Sequence, residues 1–308
     1  MTKIAELSHT FVLPKIKRRV QQVRYVLSDR TDLETVRPWP RPLGYDRIYH
    51  YHIRKTAGSS LNTAFKNAYS DASAGLVDEE AQFSRNWGVV GGRVYVNHNE
   101  YLLERGDFFY GDGHGAFHEL AIPANTFKIT ILRDPASRAL SYYRMLLHWR
   151  RNDIKHPARK EEEAYLGSCF DDFLSRVPRK HLMRQLYMFS RTFDPAEAAR
   201  NIATLNFVMT TESFSEHLRT LAELLDIDLR LYRQKSSYGA VALTDAERAR
   251  LVEALAPEYE LLDAVKPLTG VYLHGGQPTL APAKEEGALG RAAQWDVPGM
   301  NPAAPSHG

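Results

Sequence analysis

The chain has 308 residues, enough for one large domain or two small ones with a substantial buried core. Hydrophobic residues make up 44% and charged residues 25%, which excludes extensive disorder. The net charge of +3 is too small to indicate nucleic-acid binding by itself, and the single cysteine, Cys169, excludes an intramolecular disulfide and a cysteine-based zinc site. No signal peptide and no apolar run long enough for a membrane span is recognisable, so we expect a cytoplasmic protein.

Three segments are predicted. Residues 1–46 form an N-terminal extension, in which apolar residues at helical spacing among Lys and Arg indicate a helix that packs on the main domain or on a partner chain, with a membrane-surface helix as the alternative. Homo-oligomerisation through this extension is one option. A proline-rich connector leads into the main domain, residues 47–275. Residues 276–308 are rich in Pro and Gly and predict a flexible tail.

Within the main domain, strand patterns alternate with helical ones. Strands are predicted at 47–53, 92–97, 107–110, 127–132 and 206–210. Helices are predicted at 61–68, 139–147, 170–190, 195–204, 214–225 and 244–265. This alternation predicts an α/β fold with a mostly parallel sheet.

The first motif is a turn between a strand and a helix, Lys55-Thr56-Ala57-Gly58-Ser59-Ser60. Such a turn directs backbone N–H groups and the positive end of the helix dipole at one point, which suits a phosphate or sulfate. Lys55 adds a full positive charge, and the serines offer hydroxyl groups. The Gly-Lys-Ser/Thr of nucleoside triphosphatases is absent, since Lys55 precedes Gly58. A capped turn with a solvated lysine is the structural alternative.

The second motif follows the strand at 127–132. Arg133 stands at the strand's end, Asp134 and Pro135 are typical of a helix start, and Ser141 lies about two turns into that helix. An arginine and a serine at these positions could bind one phosphate together, because a guanidinium can donate two parallel hydrogen bonds to it. A structural Arg133–Asp134 pair is the alternative.

Together the two motifs resemble the signatures of sulfotransferases that use 3′-phosphoadenosine 5′-phosphosulfate, particularly the branch of heparan sulfate 2-O-sulfotransferase and its bacterial relatives. The first signature is matched over residues 52–60, with Arg54 in place of proline and Ser59 in place of threonine. The second is matched at Leu132, Arg133, Asp134, Pro135, Arg138, Ser141 and Tyr143. The resemblance covers about residues 47–265 and implies a P-loop-like sulfotransferase fold, with a mostly parallel central sheet flanked by helices.

The resemblance also implies the cofactor contacts. Residues 55–60 would hold the 5′-phosphosulfate, and Arg133 with Ser141 the 3′-phosphate. Lys235 and Ser236 would belong to a loop that closes over the nucleotide, although this loop matches the family poorly. Lys55 would also stabilise charge on the leaving group, and no metal is required.

A histidine between two glycines, His114, is the candidate general base. His118 is its rival, and Asp112 or Glu119 could orient the ring or replace it. The resemblance supports His114 through the family's catalytic Gly-His pair. Both motifs and His114 follow strands, where α/β sheets bind ligands.

The acceptor is the least determined part. A glycan or a small molecule is expected, and a basic stretch from Arg144 to Lys160 could guide an anionic one. The structural alternative is that this stretch is a solvated helix end and loop without a role in binding. Candidate acceptor contacts are His52, His118 and Arg144, and both a hydroxyl and an amine remain open as the reacting group. A soluble bacterial enzyme is expected. The competing functions are a nucleotide-dependent kinase on a related fold and a non-catalytic nucleotide-binding protein.

Overall fold

The computed structural model describes residues 39–70, 86–231, 238–239 and 241–279, together with Arg19, Val20, Gln22 and Val23. The strands are β1 (Arg47–Tyr51), β2 (Trp87–Val90), β3 (Arg93–Asn97), β4 (Tyr110–Gly113), β5 (Thr126–Leu132), β6 (Phe207–Thr210), β7 (Leu273–His274) and β8 (Gln277–Pro278). The helices are α1 (Gly58–Asn67), α2 (Glu100–Arg105), α3 (Pro135–Arg151), α4 (Arg159–Glu162), α5 (Phe170–Arg176), α6 (Arg179–Leu182), α7 (Arg184–Phe189), α8 (Pro195–Ala203), α9 (Phe214–Leu225), α10 (Asp245–Ala254) and α11 (Ala256–Val265).

Six strands form the central sheet in the order β2-β3-β4-β1-β5-β6. Every neighbouring pair is parallel except β2 with β3, which form an antiparallel hairpin, so the predicted α/β fold with a mostly parallel sheet is confirmed. β1 lies in the middle, with Tyr51 opposite Gly113 of β4 and Thr130 of β5. The carboxyl ends of β4, β1 and β5 therefore meet at one edge of the sheet.

Helices cover both faces of this sheet. Tyr49 and Tyr51 of β1 pack into one core with α3, α5, α7, α8 and α11, whereas Ile48 packs into the other with α1 and α9. This alternation follows from the two-residue period of a strand. β5 contributes to both cores, as its continuous apolar sequence predicts.

The strand bounds differ from expectation at two places. The strand predicted at 107–110 lies at Tyr110–Gly113; Phe108 and Phe109 before it are buried, and the Phe109 backbone hydrogen-bonds to Val94 of β3 and Ile48 of β1. Two of its four residues are glycines, so its pairing with β1 and β3, rather than local propensity, forms it. β2 was not predicted, because this strand has only four residues before the Gly91-Gly92 turn of its hairpin.

The observed helices differ from the predicted ones mainly because two long predicted helices are divided into shorter ones. Residues 170–190 form three short helices, and 244–265 divide at Leu255, because Pro257 stands in the first turn of α11. In the predicted N-terminal helix the four described residues are helical, but Val20 and Val23 are 62% and 52% exposed. The tail beyond residue 279 lies outside the described residues. Across the described ranges, no helix is long and apolar enough to cross a membrane.

Candidate active site

The first motif forms a tight turn between β1 and α1. Lys55 and Ala57 have φ angles of +72° and +62°, in the left-handed region that non-glycine residues rarely adopt. Each such residue costs on the order of 1–3 kcal/mol and needs surrounding contacts to hold it. The Thr56 hydroxyl donates to the carbonyl oxygen of Ile53 at 2.9 Å, and Arg133 donates to that of Lys55 at 3.1 Å. The second motif thus fixes the backbone of the first.

Positive charge is concentrated at this turn. Burial, and then the neighbouring Arg54 and Arg133, lower the pKa of Lys55 to about 8. The Lys55 ammonium lies 4.3 Å from the ring centroid of Tyr238. Burial and two neighbouring cations disfavour the protonated form of Lys55, and a bound anion would stabilise that form.

Both motifs line one cavity of about 340 Å³. The first motif contributes Lys55, Ala57, Gly58, Ser59 and Ser60, and the second contributes Arg133 and Ser141. The described residues that complete the lining are His52, Arg54, His114, Met145 and Tyr238. We call this the motif cavity. Thr56 is buried beneath it, with its hydroxyl directed at Ile53.

His114 follows β4 and lies against the carbonyl oxygen of His52, with its Nδ1 2.6 Å from that atom. A carbonyl oxygen can only accept, so Nδ1 carries the proton and Nε2 keeps a lone pair. Burial, with smaller contributions from His52, His98 and Arg184, lowers the pKa of His114 well below its ordinary value. The ring is therefore neutral near pH 7 and can accept a proton at Nε2.

A buried carboxylate, Asp112, orients the ring of His52. Its Oδ2 accepts from Asn62 Nδ2 at 2.9 Å and lies 3.3 Å from His52 Nδ1. Burial alone would raise the pKa of Asp112, but the His52 hydrogen bond and the nearby His98 and Lys66 lower it to about 2. Asp112 is only 1% exposed and lines neither this cavity nor the next, so it acts on the site through His52.

His114 and Arg54 also line a second cavity, of about 590 Å³, which we call the flanking cavity. Its other described lining residues are His98, Glu100, Leu103, Gly113, Gly115, Glu119, Leu120, His156, Pro157 and Ala158. Arg54 is held by an ion pair with Glu162, whose second oxygen accepts from the Tyr142 hydroxyl at 2.9 Å. His114 thus stands where the two cavities meet.

Other residues singled out from the sequence lie elsewhere. His118 lines neither cavity and packs edge-on against Tyr187, with ring centroids 5.2 Å apart. Arg144 also lines neither, and donates to the carbonyl oxygen of Val241 at 2.8 Å. Lys235 and Ser236 lie outside the described residues.

The flanking cavity contains His98 and Glu100, which the sequence patterns did not assign to a site, and His156, which lies in the predicted basic stretch. One signal was available, because His98 directly follows β3 just as His114 directly follows β4. No cluster of three or more metal-ligating side chains occurs among the residues that the structure describes.

Comparison with known proteins agrees with this geometry. The profile of the sulfotransferase family matches residues 44–261, which include both motifs, His114 and every strand of the central sheet. A search of curated proteins found no match. Because the family profile covers well over half of the 308 residues, the chain belongs to the sulfotransferase family.

Proposed function

We propose that residues 47–275 transfer a sulfuryl group from 3′-phosphoadenosine 5′-phosphosulfate to a hydroxyl group of a glycan or small-molecule acceptor. One observation carries the proposal: Lys55, Arg133 and His114 follow three strands at one sheet edge, and they line the same cavity as Ser141 of α3. A proton acceptor beside an anion site is what this transfer requires.

The residues of the motif cavity fit the donor's anionic groups. Gly58 opens α1 where the His52 ring lies so close that a Cβ would be 2.1 Å from its Cδ2, so only glycine fits there. Bound here, the donor would supply a sulfuryl group attached to a phosphate leaving group. Lys55 would neutralise charge on that phosphate, and the first turn of α1 would donate N–H and hydroxyl groups. Arg133 and Ser141 would hold the second phosphate.

His114 would act as the general base. The acceptor oxygen forms a bond to sulfur while the electron pair of the breaking sulfur–oxygen bond leaves with the phosphate. The acceptor proton passes to His114 Nε2. The His52 carbonyl oxygen stabilises the resulting imidazolium through Nδ1–H. Lys55 and His114 therefore act on opposite ends of the reacting system.

Calorimetric titration with adenosine 3′,5′-bisphosphate, the expected product, tests the cofactor. We expect micromolar binding that is lost in Arg133→Ala and Ser141→Ala. ATP with Mg²⁺ is titrated in parallel. A preference for ATP, or no binding of the bisphosphate, would contradict the proposal and favour the kinase alternative.

Two variants separate binding from chemistry, with bisphosphate release measured over a panel of saccharide and phenol acceptors. Lys55→Ala should lower transfer about 100- to 1,000-fold, because it removes charge stabilisation. His114→Ala should keep bisphosphate binding and lower transfer about 100- to 10,000-fold. His118→Ala is the matched control and should leave both unchanged. Full activity in His114→Ala would refute the base assignment, and bisphosphate binding without turnover on any acceptor would favour a non-catalytic binding protein.

A further inference from the structure

The ring of His52 carries a hydrogen-bond acceptor to which the proposed reaction gives no partner. Asp112 Oδ2 lies 3.3 Å from His52 Nδ1, and a pKa of about 2 keeps this carboxylate ionised. An ionised carboxylate can only accept, so a neutral His52 ring carries its proton on Nδ1 and a lone pair on Nε2. Among the residues that the structure describes, Asp112 is the one hydrogen-bond partner of this ring.

The Nε2 edge of His52 lies at the motif cavity. His52 lines this cavity, and its side chain is 11% exposed. A Cβ on Gly58 would lie 2.3 Å from Nε2, which places this edge over the first residue of α1. Solvent reaches Nε2 of His52, whereas Nε2 of His50, whose ring stacks on that of His52, is fully buried. A molecule in the cavity can therefore contact His52 Nε2.

His114 has the same arrangement directly beside His52. Its Nδ1 donates to the His52 carbonyl oxygen, which leaves a lone pair on Nε2, and it lines the same cavity. The centroids of the two rings are 4.6 Å apart. This spacing allows two hydroxyl groups on adjacent carbon atoms to reach one ring each. A ligand with two such O–H donors would satisfy both acceptors, which are costly to leave without partners in a largely buried site.

The sulfuryl donor cannot supply these hydrogen bonds. Its sulfate and phosphate groups are ionised near neutral pH, so their oxygens accept hydrogen bonds and pair with cations such as Lys55 and Arg133. A lone pair on His52 repels such oxygens. The hydrogen atoms that both histidines accept are therefore expected from the other reactant, which is the acceptor.

We propose that the acceptor is a 1,2-diol, such as a saccharide or cyclitol ring, and that His52 selects it through the hydroxyl group next to the one that reacts. This inference rests on the proposed function. The reacting hydroxyl loses its proton to His114 Nε2 as its oxygen forms the bond to sulfur, and the phosphate leaves with the electron pair of the breaking sulfur–oxygen bond. The neighbouring hydroxyl donates to His52 Nε2 and keeps its proton. Asp112 is the positioning residue that fixes the tautomer of His52.

Nuclear magnetic resonance of protein with ¹⁵N-labelled histidines observes both rings directly. In the free protein and in its complex with adenosine 3′,5′-bisphosphate, both His52 and His114 should have a protonated Nδ1 and an unprotonated Nε2. Spectra of His52→Asn and His114→Ala assign the signals. A protonated Nε2 on His52 in the complex would make this ring a cation that binds the anionic donor, and would overturn the inference.

Cyclohexanediols of one composition test the diol class on the bisphosphate complex. The cis-1,2, trans-1,2 and 1,4 isomers are titrated, and the shifts of the two Nε2 signals measure weak binding. At least one 1,2 isomer should move both signals with a common Kd, at least about fivefold below that of the 1,4 isomer, as expected for one additional hydrogen bond. Equal or tighter binding of the 1,4 isomer, or no shift with any isomer, overturns the inference.

The bisphosphate titration separates the two proposals. If the bisphosphate does not bind, the proposed function fails and this inference fails with it. If it binds and the 1,4 isomer is preferred, only the selection of a 1,2-diol fails.

Two asparagine substitutions locate the selectivity, measured through the His114 signal. An Asn amide at position 52 can still donate to Asp112 but has no atom at the place of Nε2, so His52→Asn should abolish the preference for the 1,2 isomer. His50→Asn is the matched control, because the His50 ring stacks on His52 at a centroid distance of 5.0 Å but lines neither cavity. It should keep the preference. A preference that survives His52→Asn would place the second hydroxyl elsewhere and overturn the assignment.

Discussion

Burial acts on Lys55 and His114 in the same direction, because it disfavours the charged form of both side chains. The consequences differ. Lys55, with a pKa of about 8, is mostly protonated at pH 7 but gives up its proton more easily than an exposed lysine. His114 is neutral and ready to receive a proton. In the proposed reaction, the site thus holds a cation that favours the anionic donor beside a base that is already deprotonated.

These shifts predict the pH dependence of kcat/KM, which reports the free enzyme. In the proposed reaction, the active form needs protonated Lys55 and neutral His114. Activity should therefore fall as the pH rises through about 8, where Lys55 loses its proton. It should also fall on acidification, but only below the ordinary histidine value of about 6.5, because the pKa of His114 is lowered. Initial rates between pH 5 and 10 at limiting donor concentration test both limbs.

Lys55→Arg is the control for the alkaline limb. A guanidinium stays charged throughout this pH range, so this variant should lose the limb near pH 8 even if its rate is lower. Persistence of that limb in Lys55→Arg would assign it to another group. An acid limb at or above pH 6.5 would contradict the role given to His114.

At the scale of elements, the sequence predicted the contiguous parts of the site. The segments after β1 and β5 each carry their proposed anion-binding groups within about ten residues, so local patterns were sufficient to single them out. The contacts of His52 with Asp112 and with His114 depend instead on the parallel pairing of β1 with β4. That register joins residues about sixty positions apart, and no local pattern specifies it.

The flanking cavity as a whole was not predicted, for the same reason. Glu119 was considered only as an alternative to the base and His156 only as part of the basic stretch, whereas His98 was not considered, and the three come from separate segments. Only the folded chain brings them to one wall, where their charges can be compared. The motif cavity, in contrast, takes most of its lining from two short segments of sequence.

The junction of β1, α1 and β4 predicts a sharp effect of Gly58→Ala. The new Cβ would lie 2.1 Å from His52 Cδ2 and 2.3 Å from Nε2, and Asp112 restrains that ring from moving away. We expect a loss of about 1–3 kcal/mol in the free energy of unfolding, as for an overpacked core position, and weaker bisphosphate binding. Urea unfolding and calorimetry measure the two effects.

Gly92→Ala is the matched control. Gly92 has a φ of +70° and open space around the added Cβ, so this substitution should lose only about 1 kcal/mol through backbone strain. It should leave bisphosphate affinity unchanged. Equal effects of the two substitutions on nucleotide binding would contradict a specific role of the Gly58–His52 contact.

At the scale of the whole molecule, the second motif is tied to the C-terminal helices. Arg138 of α3 is 1% exposed and donates to the carbonyl oxygens of His181 and Leu182, with its Nε 3.8 Å from Glu258 of α11. Glu258 accepts from the Gln185 backbone at 2.7 Å, and the Gln185 side chain hydrogen-bonds both backbone groups of Arg133. Arg133, which we propose binds the donor, thus depends on a helix more than a hundred residues later.

Glu258→Ala should be strongly destabilising, because it leaves the buried Arg138 guanidinium without its counter-ion. Loss of one partner of a buried ion pair typically reduces stability by about 3–5 kcal/mol. Asp171→Ala, which breaks the exposed pair with Arg250, should lose no more than about 1 kcal/mol. Thermal unfolding compares the two variants.

A second readout distinguishes this network from a merely stabilising contact. Because Gln185 links Glu258 to the Arg133 backbone, Glu258→Ala should also weaken bisphosphate binding, measured at a temperature where the variant remains folded. Asp171→Ala should bind the bisphosphate as the unmodified protein does. If Glu258→Ala lowers the melting temperature but leaves bisphosphate affinity unchanged, Arg133 is held by the β1–α1 turn alone, and the C-terminal helices contribute only stability.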